Sequence, residues 1–493
     1  IETQENSVYY NIRSKLMLQD EIGSANVPKA IIKREGNLKK ASTDFAYSED
    51  STHTFQDYLK ATDTYNTFLD SLKTAFPEYY KLKYASLDVS LQNLQKFIPE
   101  NTTVIRYLFI DRVLYALVLD KKQRNLVKID YEPVKNHIEY LNTSQPNLEK
   151  EATLLFELYG KLWKPIEAQI HTKKIIIVPD GALFNLSFET LTPQKIKNYK
   201  ELATNSLLAR YTLSYNFSML LLHEDKKPKM FSENFVAFAP GFSKEMKTKY
   251  KIGISDSINK DATYLALLSQ PSSVKLAENY SRIFDGTSYL NENASKEVFR
   301  HKAGEHKIIH IGTHGESNNI SPEFSRLIFA KTADRLNNYD ENSLYTYEIY
   351  NTNLSSNLSI LTACETGKPT YQPGEGMISL AHAFNYAGSE SILTSLWEID
   401  EISSSQIVGY FYDFLSEGLP KDEALKKAKL KYLSTTEGRG ASPQYWAGLV
   451  LIGDTAPIQL QQSINPQWWW ALGILLAGVF IFFLLKRKMA SKS

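Results

Sequence analysis

The feature that most constrains the fold is an alternation of short, continuously apolar segments with helical patterns. A segment without polar positions has to be buried on both faces, which is typical of parallel strands covered by helices on each side of a sheet. The sequence therefore predicts an α/β fold built on a mostly parallel sheet. The predicted strands are "KIIIVPDG" (174–181), "NFVAFAP" (234–240), "HKIIHIG" (306–312), "LSILTA" (358–363), "SILTSLW" (391–397) and "WAGLVLIG" (446–453), and the predicted helices lie near 272–284, 294–302, 376–387, 401–417 and 421–433.

The first part of the chain differs from this pattern. Residues 1–100 are predicted to be helical, and the clearest apolar face repeats at a spacing near 3.6 residues over 55–72. No clean 34-residue self-similarity is present, so this region is expected to be at most the end of a helical-repeat array. From Thr103, short strands separated by charged turns predict a hairpin or meander, followed by helices over 131–143 and 147–170.

Residues 318–357 are the longest weakly patterned segment of the second half and are rich in Asn, Ser and Tyr. Loops carried by a rigid scaffold commonly contact ligands. We therefore expect substrate-facing loops in this segment.

Charge and cysteine content exclude several classes of protein. Lys and Arg number 56 against 55 Asp and Glu, so the formal charge of +1 gives no indication of nucleic acid as a partner. Cys364 is the single cysteine, which excludes an intrachain disulfide framework and a cysteine-based zinc cluster. Its thiol is either a small core group or a reactive one.

An apolar segment near the end of the chain predicts a transmembrane helix. Residues 468–485 would extend about 27 Å as a helix, close to the thickness of a bilayer's hydrocarbon core. Three tryptophans would lie at one interface, and the basic tail 486–493 would follow the other. Residues 456–467 would form a tether, and the bilayer would be a partner of the protein. The alternative is a buried core helix, although all-round apolarity beside a basic tail has little use in a soluble core.

The positive-inside tendency predicts a single-pass membrane protein with a cytoplasmic tail and the bulk of the chain on the other side. Export needs an N-terminal signal, yet the chain begins at Ile1 with neither Met nor an apolar segment. We therefore expect a processed or truncated product. A chain made without a signal would instead be tail-anchored, with its bulk in the cytoplasm.

Two predicted strands end in residues that could carry chemistry. "HKIIHIG" is followed by His314, and "LSILTA" is followed by Cys364, 50 residues later. A nucleophilic thiolate needs an imidazole that lowers its pKa and protonates the leaving amine, and adjacent strands of a parallel sheet could deliver both groups. The backbone N–H groups of Gly315 and Cys364 could then stabilise the oxyanion of a tetrahedral intermediate.

Less reactive roles are open for the same residues. A lone cysteine after an apolar strand is more often a small core residue, and a lone histidine is more often structural. His310 and His314 have the spacing of a zinc pair on a helix, but the surrounding isoleucines and Gly312 favour a strand, and no third ligand stands nearby. Asp180 is expected to shape its Pro-Asp-Gly turn.

Several motifs resemble the CHAT domain, a caspase- and separase-like family of cysteine peptidases often attached to tetratricopeptide repeats. The motifs are "IIIVPDGALFNLSFETL" (175–191), "RYTLSYNFSML" (210–220), "IIHIGTHG" (308–315), "LSILTACETG" (358–367), "PGEGMISLAHAFNYAGSESILTSLWEIDE" (373–401) and "SPQYWAGLVLIGD" (442–454), within about 75–455. The resemblance implies a peptidase domain over 101–455, with a pseudo half at about 101–230 and an active half at about 231–455. It also implies that His314 is the general acid/base and Cys364 the nucleophile, without a cofactor.

The resemblance also bears on specificity and regulation. "TACETG" meets the caspase pattern Q-A-C-x-G only partly, so a preference for acidic residues is not implied. In separase-like relatives an acidic residue after the "LW" strand helps to bind a basic residue before the cut. Asp400 and Glu401 could do so here, and the alternative is a helix N-cap with an acidic first turn. Some related peptidases cleave themselves, and residues 318–357 would be the place for it.

The sequence thus predicts a membrane-anchored cysteine endopeptidase that acts on proteins or peptides and is regulated by a partner through its N-terminal helices. The competing hypothesis is a catalytically silent CHAT-like scaffold for protein interaction at the membrane. A zinc hydrolase is the third possibility.

Overall fold

The structure is a computed structural model, and it describes the chain in segments. The described residues are 55–76, 91–110, 113–131, 134–143, 145–223, 231, 233–253, 261–318, 324–331, 341–350, 352–362, 370–372, 376–378 and 380–460, with isolated positions between 28 and 38.

Helices and strands alternate along most of the described chain. The α-helices are α1 (Phe55–Ala75), α2 (Leu91–Phe97), α3 (Val134–Thr143), α4 (Leu148–Leu158), α5 (Leu202–Asn205), α6 (Leu207–Arg210), α7 (Lys244–Gly253), α8 (Ala262–Ala266), α9 (Pro271–Ile283), α10 (Lys296–Lys302), α11 (Thr346–Ile349), α12 (Leu380–Tyr386), α13 (Glu401–Ser416), α14 (Lys421–Thr435) and α15 (Pro443–Trp446). The strands are β1 (Thr102–Ile110), β2 (Val113–Leu119), β3 (Arg124–Ile129), β4 (Lys174–Val178), β5 (Thr212–Tyr215), β6 (Glu233–Ala239), β7 (Thr287–Leu290), β8 (His306–Ile311), β9 (His314–Glu316), β10 (Arg326–Ile328), β11 (Ser343–Tyr345), β12 (Leu358–Leu361), β13 (Thr370–Gln372), β14 (Gly376–Ile378), β15 (Ser391–Ser395) and β16 (Leu449–Gly453).

Eleven strands form one sheet in the order β3-β2-β1-β4-β5-β16-β15-β12-β8-β6-β7. The predicted meander is the antiparallel run β1-β2-β3 at one edge. From β1 to β5 the pairing is parallel, and it is parallel again from β15 to β7. Strand β16 joins the two groups, since it pairs in parallel with β5 and antiparallel with β15. The predicted α/β fold with a large, mostly parallel sheet flanked by helices is confirmed.

The continuously apolar strands are buried, as their composition requires. Every residue of β12 and β15 is buried, and Ile308 and Ile309 of β8 have no exposed surface. Helix α9 packs against β6, β7 and α13, so this end of the sheet is covered by two mutually packed helices. Helix α1 contributes Phe68 and Leu72 to a small separate apolar cluster.

Three details differ from the sequence predictions. The helix predicted over 376–387 begins only at Leu380, because Gly376–Ile378 pairs with Thr370–Gln372 as a two-stranded sheet. The segment predicted as one helix over 147–170 is α-helical only to Leu158. It is followed by a short π-helix (Tyr159–Trp163) and a 3-10 turn (Glu167–Gln169). The weakly patterned segment holds β10, β11 and α11, and β10 and β11 form a second small sheet with β9.

The prediction of a single-pass membrane protein is contradicted. Within the described ranges, no helix has both the length and the apolar character needed to cross a bilayer. The apolar segment 468–485 and the basic tail 486–493, on which that prediction rested, lie outside the described residues. The predicted partnership with the bilayer is not supported.

A buried ion pair joins the two parts of the sequence near the middle of the large sheet, where α14 packs against β5 and β16. Lys429 of α14 donates to Glu189, which lies in the 3-10 turn Phe188–Thr190 after β4. The side chains are 0% and 3% exposed, and burial raises the pKa of Glu189 and lowers the pKa of Lys429. Neither charge can be left alone in such surroundings, because an unpaired buried charge is far more costly than the intact pair.

Replacing one partner of this pair should destabilise the protein strongly. We expect Glu189→Gln to lower the free energy of unfolding by about 3 to 5 kcal/mol, measured by denaturant unfolding. Glu437→Gln is the matched control, since the Lys200–Glu437 pair also spans the two parts of the sequence but is 49% and 84% exposed. It should leave the unfolding midpoint unchanged. The double variant Glu189→Leu/Lys429→Met should recover most of the loss, and equal midpoints for Glu189→Gln and Glu437→Gln would contradict this assignment.

Candidate active site

Three neighbouring parallel strands end at one edge of the large sheet, and the predicted site residues follow them. Strand β12 lies between β8 and β15, with Leu361 opposite Ile311 and Ile360 opposite Leu393. Parallel strands have their carboxyl ends at the same edge, where ligands bind in open α/β sheets. His314 follows β8, Cys364 follows β12, and the carboxylates at 400 and 401 follow β15.

His314 begins a new strand immediately beyond the large sheet. After β8 ends, the backbone N–H of Gly312 donates to the Phe238 carbonyl at 2.9 Å. His314 is then the first residue of β9, where it is opposite Ile328 of β10. The backbone of His314 is therefore fixed between the end of β8 and the small sheet, and its side chain is half-buried.

The imidazole of His314 is oriented by a backbone carbonyl. Its Nε2 lies 2.8 Å from the carbonyl oxygen of Leu268, and its ring centroid is 5.2 Å from that of the buried Phe242. A carbonyl oxygen only accepts, so Nε2 carries the hydrogen in this contact. In the neutral ring Nδ1 is then the lone-pair nitrogen, which is the form that a general base requires.

The loop that supplies this carbonyl is itself tied down, and we call residues 267–270 the positioning loop. Lys247 donates to the Leu267 carbonyl, and Ser269 Oγ donates to the Phe242 carbonyl at 2.9 Å. The Gln270 N–H donates to the Gly241 carbonyl at 2.8 Å. The Leu268 carbonyl is thus fixed by hydrogen bonds on both sides.

Cys364 lies outside the described residues, so its side chain has no described geometry. The chain is described as far as Thr362, whose N–H donates to the Ile311 carbonyl at 3.1 Å. Thr362 precedes the cysteine by two residues, and Ile311 precedes His314 by three. Gly315, the other predicted oxyanion residue, lies in β9 opposite Leu327.

Asp400 and Glu401 both cap helices. Asp400 Oδ1 accepts from the N–H and the hydroxyl of Ser403, each at 2.8 Å, as the N-cap of α13. Glu401 Oε1 accepts from the N–H of Ser273, at 2.9 Å, in the first turn of α9. These contacts agree with the alternative that the two residues form a helix N-cap and an acidic first turn. A role in substrate specificity stays a prediction.

His310 is a core residue in the strand that the sequence favoured. Its ring is completely buried, and Nδ1 lies 2.8 Å from the Tyr412 hydroxyl. Burial lowers the pKa of His310 to about 3, so the ring is neutral at physiological pH.

Across the described part of the chain, no three His, Cys, Asp or Glu side chains are grouped to hold a metal. Asp180 Oδ2 accepts from the Phe109 N–H at 3.0 Å, beside its turn.

Polar groups beside His314 were missed by the sequence reasoning. Gln270 Nε2 donates to the Thr313 carbonyl at 3.5 Å, and Gly312 leaves room for Ser273, whose Oγ would lie 1.9 Å from a Cβ at Gly312. The run from Gln270 to Ser273 contains Pro271 at the helix start, which could have located the first turn of α9. A backbone acceptor such as Leu268 has no sequence signal.

The fold and the edge residues define the class of protein: an α/β domain with a histidine and a cysteine-bearing segment at the carboxyl ends of adjacent parallel strands. Residues 153–454 match the CHAT domain. Because this match covers well over half of the chain, the protein belongs to the CHAT domain family.

Curated relatives match a short part of the chain. Human tetratricopeptide repeat protein 28 is 32% identical over 93 residues, which is 19% of this chain and 4% of that protein. The mouse protein of the same name is 29% identical over 116 residues, or 23% of this chain and 4% of that protein. The match thus spans only a small fraction of these much longer relatives.

Solved structures show a distant likeness. The Saccharomyces cerevisiae separase–securin complex covers 90% of this chain and 40% of its own with 11% identity and a TM-score of 0.46. The Arg specific cysteine proteinase gingipain R covers 67% of this chain and 76% of its own with 9% identity and a TM-score of 0.38.

A side chain at residue 312 should disturb the site. Gly312→Ala would push its Cβ onto Ser273 Oγ, and overpacking of this kind costs about 1 to 3 kcal/mol. We expect a lower melting temperature, while Gly160→Ala, with nothing within 4 Å of the added Cβ, should leave it unchanged or raise it slightly. Adding Ser273→Ala to Gly312→Ala should restore part of the loss. If Gly312→Ala has the same melting temperature as the wild type, Ser273 of α9 does not approach Gly312 as closely as described.

The buried His310 should make the protein acid-sensitive. The unfolded chain takes up a proton near pH 6.5, whereas the folded chain does so only near pH 3, so stability is lost as the pH falls between these values. We expect His310→Gln to flatten the dependence of unfolding free energy on pH between 6.5 and 4. The exposed His301→Gln is the control and should keep the wild-type slope. Part of the slope should survive in His310→Gln, because burial also lowers the pKa of His382 to about 3.

Proposed function

We propose that the protein is a cysteine endopeptidase that hydrolyses peptide bonds with His314 and Cys364. The observation that carries the proposal is the parallel pairing of β8 with β12, extended by the hydrogen bond from Thr362 to Ile311. This pairing ends two residues before the cysteine and three before the histidine in the sequence, which supports an assignment of both residues to the same edge of the sheet. Membership of the CHAT domain family supports the same assignment.

In the proposed reaction, His314 takes the thiol proton and the thiolate of Cys364 attacks the scissile carbonyl carbon. The N–H groups of Gly315 and Cys364 stabilise the resulting oxyanion. The C–N bond then breaks, His314 gives its proton to the departing amine, and a thioester remains on Cys364. A water molecule, deprotonated by His314, attacks the thioester and releases the acid product and the free thiol.

The contact between His314 and Leu268 supports this assignment of roles. A hydrogen bond at Nε2 holds the ring in one tautomer and one orientation, as an orienting partner does for histidine bases in general. Nδ1 is then the nitrogen that exchanges the proton with Cys364.

The substrate is a protein or peptide, and a basic residue before the cut is the preferred one in this proposal. Asp400 and Glu401 would bind it, because they follow β15, the strand beside β12. The N-terminal helical region is proposed to receive a regulatory protein. The name of the human relative mentions tetratricopeptide repeats, and the similar separase structure was solved as a complex with securin. Both names agree with regulation through protein contacts.

Substituting either residue of the dyad should abolish cleavage. The full chain would be incubated with a peptide library and an alkylating probe, and Cys364→Ala and His314→Ala should remove cleavage. His314→Ala should also slow alkylation of Cys364 at neutral pH by about tenfold or more, because the thiol loses the base that converts it to the thiolate. His301→Ala is the matched control and should keep both activities.

The result that overturns the proposal is absence of cleavage together with alkylation of Cys364 at the rate of a free thiol in both the wild type and His314→Ala. That outcome would favour a catalytically silent scaffold. Enrichment of Lys or Arg before the cut, lost in Asp400→Asn/Glu401→Gln, would support the assigned specificity.

A further inference from the structure

Three aromatic rings form a partly exposed cluster in the segment between the histidine and the cysteine. We call Phe324, Tyr345 and Tyr347 the aromatic cluster. The rings of Tyr345 and Tyr347 stack with centroids 5.5 Å apart and an interplanar angle of 10°. Phe324 meets both edge-on, at 6.2 Å and 5.8 Å. Phe324 is 51% exposed and Tyr347 43% exposed, so part of the ring surface of the cluster faces solvent.

The cluster is built on the sheet that begins with His314. Arg326 of β10 lies opposite Glu316 of β9 and opposite Tyr345 of β11. Its Nε donates to Glu316 Oε2 at 2.9 Å, and its Nη1 donates to Ser343 Oγ at 3.0 Å. One guanidinium therefore links all three strands, and the aromatic cluster is fixed relative to the candidate catalytic strand.

The backbone beneath the rings is equally constrained. The Ser325 carbonyl accepts from both the N–H and the hydroxyl of Thr346, at 2.8 Å and 3.0 Å. Glu348 of α11 is paired with Lys296 and Arg300 of α10. Phe324 and Tyr347 are thus held exposed by fixed neighbours, although the same rings could contribute more to stability if they were buried. Contiguous exposed apolar groups on a rigid base mark contact surfaces, and aromatic rings dominate such contacts.

The distance from His314 to the aromatic cluster indicates what the cluster binds. Two residues along β9 span about 7 Å, and crossing from β9 to β11 adds about 10 Å at right angles, so the cluster lies roughly 12 Å from His314. An extended peptide covers about 3.3 to 3.6 Å per residue. A peptide with its scissile bond at His314 therefore reaches the cluster with its third or fourth residue from that bond.

We propose that the aromatic cluster is a specificity subsite that binds an aromatic or large aliphatic side chain of the substrate, three to four residues from the bond that is cut. This inference rests on the proposed peptidase function for its reference point at His314. The occupant is the substrate chain, because the cluster and the candidate general base are carried by the same three-stranded sheet.

The test uses a chain that can bind but not cleave, so that it does not depend on catalysis. A random peptide library is selected against the full chain carrying Cys364→Ala, and against the same chain with Phe324→Ser/Tyr347→Ser added. Ile283→Ser is the matched control, since Ile283 is a 59% exposed apolar residue at the far end of α9. Serine at these exposed positions removes apolar surface without opening a core cavity.

We expect enrichment of Phe, Tyr, Trp or Leu at one position in the Cys364→Ala chain and its Ile283→Ser derivative, and loss of this enrichment in the Phe324→Ser/Tyr347→Ser derivative. Replacing that residue of a selected peptide by Gly should weaken binding about tenfold, measured by fluorescence anisotropy. The same replacement should have little effect on the chain that lacks the two rings, because the interaction is already absent.

An equal loss of affinity in both chains, or no enriched apolar position at all, would overturn the subsite. The subsite is supported if the apolar residue of a selected peptide strengthens binding only to the chain that keeps the two rings. This holds even if the wild-type chain cleaves nothing. Failure of cleavage counts against the proposed function alone. Self-association of the chain through the cluster, seen as a concentration-dependent mass that Phe324→Ser/Tyr347→Ser abolishes, would assign the surface to a second copy instead.

Discussion

The arrangement of the candidate site depends on the parallel pairing of β8 and β12. Both strands are buried on both faces, so neither can slip without moving apolar side chains away from the core that surrounds them. The register that places Leu361 opposite Ile311 is therefore fixed by the burial of apolar side chains and does not depend on the site residues themselves. His314, three residues beyond the end of β8, inherits this precision, and the described chain beyond β12 reaches Thr362, two residues before Cys364.

A second level of order comes from backbone groups around His314. The positioning loop presents the Leu268 carbonyl to the imidazole, and hydrogen bonds from Lys247, Ser269 and Gln270 hold the loop. These bonds reach back to the segment after β6, so the orientation of the ring is set by β6 as well as by β8. The large sheet thus determines both the place of the histidine and the nitrogen that carries its hydrogen.

Much of this could be predicted because it is local. Continuous apolar runs identify β8, β12 and β15, and their helical partners follow from spacing. The prediction that the helix begins at residue 376 was wrong because it depends on tertiary structure. Gly376–Ile378 has a helix-like sequence pattern but pairs with Thr370–Gln372, and no local sequence signal indicates such a strand partner. The Leu268 carbonyl could not be predicted, since every residue has such a group. Gly312 could be noted, but its reason, the approach of Ser273, is visible only in three dimensions.

The two carboxylates after β15 do not force a choice between capping and recognition. A carboxylate has two oxygens, and each of these residues uses one: Asp400 Oδ1 accepts from Ser403, and Glu401 Oε1 accepts from Ser273. Among the described residues, Oδ2 of Asp400 and Oε2 of Glu401 take no hydrogen bond. Capping therefore fixes the direction of the carboxylates, and in the proposed specificity the second oxygen of each would bind the basic residue. A pre-oriented acceptor loses less conformational entropy on binding than a free side chain, so the helix caps would favour recognition of a basic residue.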